Sequence, residues 1–556
     1  MKRAERLVGG AALAGGALLL ASCATPRVAP SPVTAPSIAA AEGRPIHPPP
    51  PARVAPSPPA RVAPSPPAPA PASTAGERET PDAPFRATAP APGPEPQFKV
   101  PGFKRFRLKS GLEVILAEFH DLPLVDVSLF IKAGGGANPP ELAGLAEMTA
   151  NMLDEGTKTR TAIQIADEMA TLGATLATAS SWDASSAVLS TLTKNLDAAL
   201  AVWADVVLHP SFSETEFTRV RDNLLTAIGR RKDSPPIIAT LAMSRILYGD
   251  RHPFAWPMTG DEASLKKLTV ADLRKFYEAN YRPNNAVLIV AGDVTEGDLR
   301  PKLESALKGW NGKAAARRKL PAPTAASKTK IYLIDKADAP QSSIRVGLVG
   351  IERTNPDYIP VMVMNLILGG GFYRLDLNLR EGKGWTYGAR STFDARRTPG
   401  PFSAGGEFVA AHTADSVAEI LKEVNTIRDG DVSVAELARA KDQIIKSFPA
   451  RFATRASTVG QLAEIAIFGL PDRYLADFTR KIAAVTKDDV RRMARKYLVS
   501  DKLAVVVVGD QKSSRAALAK IAPVELRDLE GNPLAAPITA DGAKGGDKGP
   551  ANKTEE

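Results

Sequence analysis

Two apolar patterns alternate along most of the chain. Short runs that are apolar throughout, such as Ala286-Val-Leu-Ile-Val-Ala291 and Leu503-Ala-Val-Val-Val-Val508, predict buried strands. Stretches with apolar positions three or four apart, such as Leu268 to Tyr281 and Val485 to Tyr497, predict amphipathic helices. Near the start of the patterned region, Phe103 to Leu108 and Leu112 to Phe119 read as strands joined through Ser110-Gly111, a hairpin signal. Helices are expected at about 141–154, 161–171, 193–207, 214–232 and 236–248, with a strand pair near 174–192. Strands and helices mix without strict βαβ alternation, so the predicted fold class is α+β, with helices covering a largely antiparallel sheet.

The pattern occurs twice. Helix Leu268 to Tyr281, the turn Arg282-Pro283-Asn284-Asn285, the apolar strand and the exit Gly292-Asp293 return about 217 residues later as Val485 to Tyr497, Leu503 to Val508 and Gly509-Asp510. The alternating strand Val125 to Ile131 ahead of a helix is echoed by Ser343 to Val349 ahead of the helical run Tyr358 to Leu368. The chain therefore reads as two homologous domains, 98–315 and 326–525, with a proline-, alanine- and lysine-rich linker near 313–328. Residues 526–556 are polar and glycine-rich and are expected to be a disordered tail.

Composition changes the picture only at the N-terminus. About half of the 47 prolines fall before residue 100, and residues 24–97 contain few large apolar side chains. They include the repeat Pro51-Ala-Arg-Val-Ala-Pro-Ser-Pro58, followed at once by its copy Pro59 to Pro66. Such sequence buries no core and biases the backbone to polyproline II, giving a tether with a reach on the order of 200 Å. Ahead of it, Lys2, Arg3 and Arg6 precede the apolar run Leu7 to Leu20, which reads as a secretory signal too short for a comfortable membrane span. The run ends Leu20-Ala21-Ser22-Cys23, which resembles a bacterial lipobox whose cysteine is lipidated. With Ala24 and Thr25 following, and no aspartate, the expectation is a lipid-anchored protein of the cell envelope, on the outer membrane and facing the periplasm. Cys23 is the single cysteine, which excludes an intramolecular disulfide framework and thiolate metal sites. The excess of 71 lysines and arginines over 61 acids is spread along the chain without a basic run, so no nucleic-acid partner is expected.

The segment Gly144-Leu-Ala-Glu147-Met-Thr-Ala150-Asn151-Met-Leu-Asp-Glu-Gly156-Thr157 resembles the metal-binding helix of the insulinase/pitrilysin family of zinc peptidases, which includes the mitochondrial processing peptidases. Ser234-Pro235 and the stretch Asp250-Arg-His-Pro-Phe254 through Gly292-Asp293 agree with it, and the resemblance spans nearly all of 98–525. It implies two domains of the processing-peptidase type. In that family the helix carries His-x-x-Glu-His, two imidazoles gripping zinc and a carboxylate serving as general base. Here Glu147, Ala150 and Asn151 stand at those positions, and alignment on Arg221-Asp222 puts Ala227 at the third ligand, normally a glutamate. None of His47, His120, His209, His252 and His412 shares a helical face with another histidine. No metal is expected on this chain, and Glu147 and Asn151 read as cavity-lining polar residues.

In the second domain, Gly369-Gly370-Gly371 and the spacing Arg380 to Tyr387 resemble the family's glycine-rich loop and Arg/Tyr pair. The resemblance implies that these residues bind substrate backbone, a guanidinium fork and a phenol donating to carbonyl oxygens. On residue chemistry alone, Arg380 could equally pair with a nearby carboxylate, Tyr387 be a half-buried strand residue, and the glycines end a helix. The combination implies a non-catalytic, peptide-binding subunit, inactive alone, whose partner is a paralogous subunit with an intact HxxEH motif and zinc, the substrate being unfolded peptide. The alternatives are a peptide-binding or scaffold module without hydrolysis, and a peptidase that uses ligands other than the family's.

Overall fold

The computed structural model describes residues 98–534 apart from 315, 317, 318, 325 and 326; the expected signal segment, Cys23, His47 and the whole of the tether lie outside the described residues. Six strands form the first sheet: β1 (Lys104–Arg107), β2 (Glu113–Glu118), β3 (Leu124–Ile131), β4 (Thr175–Ser180), β5 (Ser185–Leu192) and β6 (Ala286–Gly292). Six more form the second: β7 (Lys330–Asp335), β8 (Gln341–Val349), β9 (Thr386–Phe393), β10 (Pro401–Val409), β11 (Ala504–Gly509) and β12 (Val524–Arg527). Their orders are β1-β2-β6-β3-β5-β4 and β12-β7-β11-β8-β10-β9. The duplication is thus reproduced strand for strand, except that the outermost strand comes from the start of one half and the end of the other. Within the first sheet only β2 and β6 run parallel, and in the second β7 runs parallel to both β11 and β12. Both sheets are largely antiparallel and covered by helices, the α+β architecture read from the sequence.

Why β6 and β11 lack polar alternation is visible in what covers them. On one face of β6, Leu288 and Val290 join the core of the first half with Met148, Trp203 and Leu273. On its other face, Val287, Ile289 and Ala291 pack with Ile115 and Phe130 against Val459, Leu462 and Ala463 of the helix Arg455–Phe468, which belongs to the second half. The exchange is reciprocal. Val505 and Val507 of β11 face their own core with Met364 and Met493, while Ala504, Val506 and Val508 meet Ile238, Ala242 and Met243 of the helix Pro235–Tyr248 from the first half. A strand buried on both faces needs apolar side chains throughout. From Val100 onward the halves form one compact unit.

Local signals explain most boundaries. Thr269 and Thr486 accept from the backbone N–H of Asp272 and Asp489, whose side chains bond back, so the duplicated helices Val270–Asn280 and Lys487–Tyr497 begin with the same capping box. The helix expected from 141 begins only at Leu145, because Pro139 and Pro140 direct the preceding residues into a short 3-10 turn and Gly144 takes a left-handed φ of 89°. The expected tail is structured over its first residues. β12 ends at Arg527, whose Nη1 donates to Gly531 O at 2.9 Å, and Glu530 pairs with Lys232 at 2.8 Å.

Candidate functional site

The helix Leu145–Asn151 lies against β4 and against the helix Glu214–Arg231. Of the four positions singled out in the sequence, Ala150 is fully buried, Glu147 and Asn151 are half-buried on the same short helix, and Ala227 is half-buried on the second helix. The Glu147 carboxylate lies near the wholly buried Tyr281, whose phenol is pushed up chiefly by burial and further by this negative charge. Neighbouring acids are engaged elsewhere. Glu155 and Glu216 both pair with Arg219, and Asp154 accepts from Thr178 at 3.4 Å. One carboxylate, one amide and two methyl groups are not a zinc-binding set. Among the described residues, no three His, Cys, Asp or Glu side chains converge.

The described histidines serve other ends. His120 Nδ1 lies 2.8 Å from Asp293, and His209 Nδ1 lies 3.1 Å from Asp205. His412 stacks on Trp385. His252 is buried against Tyr248 and Phe254 and accepts the Phe254 N–H at 3.0 Å.

The glycine-rich segment is a constructed loop. Gly369 ends the helix Tyr358–Gly369 in such close contact with β9 that an added Cβ would lie 2.2 Å from Ser391 N, which explains glycine there. At Gly370 a Cβ would collide with Leu366, and at Gly371 with the Arg390 guanidinium. Phe372 follows with φ 61°, uncommon for a side-chain-bearing residue, and its N–H is held by Asp376 Oδ2 at 3.1 Å. Arg374, half-buried, locks the segment to Glu436 at 2.8 Å. A π-type turn, Leu377–Gly382, then carries Arg380, whose Nη1 is 3.8 Å from Asp376, whose Nε is 3.3 Å from Glu381, and whose guanidinium lies 5.5 Å from the Phe372 ring. Tyr387, second in β9, is 92% exposed. Arg380 and the three glycines are therefore brought together by Asp376 and Phe372, while Tyr387 stands out into solvent beside them. Arg380 does pair with carboxylates, the bland possibility left open by its chemistry, yet its side chain keeps 40% exposure. Sequence reasoning missed Asp376, although its spacing to Arg380, four residues along a helical stretch, was a signal for the pair.

The same segment closes one sheet edge. Ala389 N–H donates to Asp376 Oδ1 at 3.3 Å and Ser391 O accepts from Asn365 Nδ2 at 3.1 Å, so β9 has two of its outward backbone groups occupied. Its counterpart β4 does not. Among the described residues, no backbone hydrogen bond joins β4 to anything but β5.

The family model described as insulinase (peptidase family M16) matches residues 113–252, and the model described as peptidase M16 inactive domain matches 267–444. The chain belongs to the insulinase family. The uncharacterized zinc protease YmxG of Bacillus subtilis is 23% identical over 403 residues, 72% of this chain and 96% of its own length. The non-peptidase homolog YmxG of Helicobacter pylori is 24% identical over 408 residues, covering 72% and 93%. Among solved structures, the peptidase M16 inactive domain from Pseudomonas fluorescens has a TM-score of 0.68 at 29% identity and covers 73% of this chain and 98% of its own. This insulinase-family chain keeps the two-sheet fold of its relatives while its Leu145–Asn151 helix lacks the residues that would make it a zinc site.

Proposed function

We propose that the chain is the non-catalytic, peptide-binding subunit of a two-subunit insulinase-like zinc metalloendopeptidase, anchored through Cys23 in a bacterial envelope with its body in the periplasm. One contrast carries the reading. The position where the family holds zinc has lost its donor set, whereas Arg380 and Tyr387, on the segment that follows Gly369 to Gly371, keep hydrogen-bond donors open to solvent. The relative named a non-peptidase homolog supports a member without hydrolytic activity.

The metal and the general base come from a paralogous partner with an intact HxxEH. This chain supplies binding: an extended, unfolded peptide adds to the open edge of β4, and Arg380 and Tyr387 donate to peptide carbonyl oxygens. The test mixes the purified full chain with its HxxEH-bearing relative and follows cleavage of an unfolded peptide. Cleavage should rise well above that of the relative alone, and Arg380→Ala should remove at least ~90% of the gain, the effect of losing a charged hydrogen bond worth about 1.5–3 kcal/mol. No gain on mixing would sink the pairing, and peptide binding without any gain would favour a binding module instead.

A further inference from the structure

We propose that Arg390 is the carboxylate-recognising residue of the glycine-loop surface, so that the peptides this chain holds carry a carboxylate where they cross the loop. The proposal rests on the peptide-binding reading and adds the chemical class of peptide.

The other cations on the segment from Gly369 to Ala389 are compensated. Arg374 pairs with Glu436, Arg380 lies between Asp376 and Glu381, and Lys383 is 3.7 Å from Glu419. Arg390 is exposed on β9 and, among the described residues, its side chain has neither an ion pair nor a hydrogen bond. Its guanidinium is nevertheless not loose in solvent. It lies across the loop in a slot made by two glycines: an added Cβ would sit 2.9 Å from its Nη1 at Gly371, and 4.0 Å from its Nε and Nη2 at Gly388. The carboxylate bordering this slot, Asp376, with Oδ1 3.6 Å from where a Cβ would sit at Gly388, is wholly buried and has one oxygen on Ala389 N–H and the other on Phe372 N–H. A planar fork lying against backbone, with no internal acid within ion-pair distance, matches an incoming carboxylate in bidentate fashion. The exposed rings of Phe372 and Tyr387 and the exposed Leu377 lie along the same segment and suit the apolar part of a peptide.

The carboxylate can be an acidic side chain or a peptide C-terminus, and one experiment separates them. Three labelled peptides of one sequence are bound to the full chain and followed by fluorescence anisotropy: a neutral, amidated peptide with a central Gln; an amidated one with a central Glu; and the Gln peptide with a free C-terminus. At least one carboxylate peptide should bind roughly tenfold tighter than the neutral one. Which one does so identifies the source. Arg390→Ala should bring that ratio close to one. Gly371→Ala, which keeps the charge but displaces the fork, should lower it as well. Unchanged thermal melting confirms that Arg390→Ala is folded. A wild-type ratio near one, or a ratio that survives Arg390→Ala, overturns the proposal and leaves the peptide-binding reading standing. Failure of all three peptides to bind overturns both.

Discussion

Asp376 shows how a buried side chain shapes a surface it does not reach. Its two oxygens take the N–H groups of Phe372 and Ala389, fixing a left-handed loop residue and a sheet edge at once, and Arg380 leans on what charge remains. Asp376→Asn turns one acceptor into a donor facing an N–H, so stability should fall by about 1–3 kcal/mol in urea unfolding, with peptide binding weakened as the loop loosens. His252 makes a pH-dependent contribution. Burial, and after it the Arg396 guanidinium, hold its imidazole down to about 4 from an ordinary value of 6.5. The unfolded chain therefore takes up this proton first as pH falls, so the stabilisation is complete above about 6.5, declines through that window and is gone below about 4. His252→Asn retains an acceptor for the Phe254 N–H, and urea titrations at pH 7.5 and pH 5 should show a smaller drop for the variant than for the wild type. That Arg380 would lie close to the glycine loop was legible in the sequence because their spacing is local. The inward company of Glu147 was not, since Tyr281 meets it only through tertiary packing.

At the scale of elements, what could be read was what depends on near neighbours. The capping boxes at Thr269 and Thr486, the strands β6 and β11, and the hairpin at Ser110-Gly111 all carry their instructions within a few residues. The misplaced start of the helix at Leu145 has a local cause too, the Pro139-Pro140 pair, whose fixed φ angles outweigh the apolar spacing that followed. Not readable was the identity of the helix lying on each sheet. Arg455–Phe468 and Pro235–Tyr248 look from their composition like core helices of their own halves, yet each covers the other's sheet. Leu462 is almost wholly buried against β6, and Leu462→Ala should cost about 2–5 kcal/mol, measured by denaturant unfolding as a lower midpoint for the whole chain.

For the whole molecule, sequence duplication suggested two domains in series, and the two sheets do follow that division. Their stability does not. A fragment of residues 98–315 would leave Ile115, Phe130 and Ile289 without their cover, and a fragment of 326–534 would leave Val506 and Val508 bare. Either expressed alone should bind a hydrophobic dye and sediment as aggregate, whereas co-expression should yield a soluble one-to-one complex. Two well-behaved separate fragments would show that the exchanged helices contribute little.

The crossed helices also constrain how anything enters. Swinging the halves apart like a hinged shell would strip an apolar helix from each sheet simultaneously, exposing both central strands to water. A protein built this way is a fixed wall rather than a door. In the two-chain enzyme proposed above, the doorway would lie at the seam between the chains, and the traffic through it would be governed by how firmly the second molecule is held.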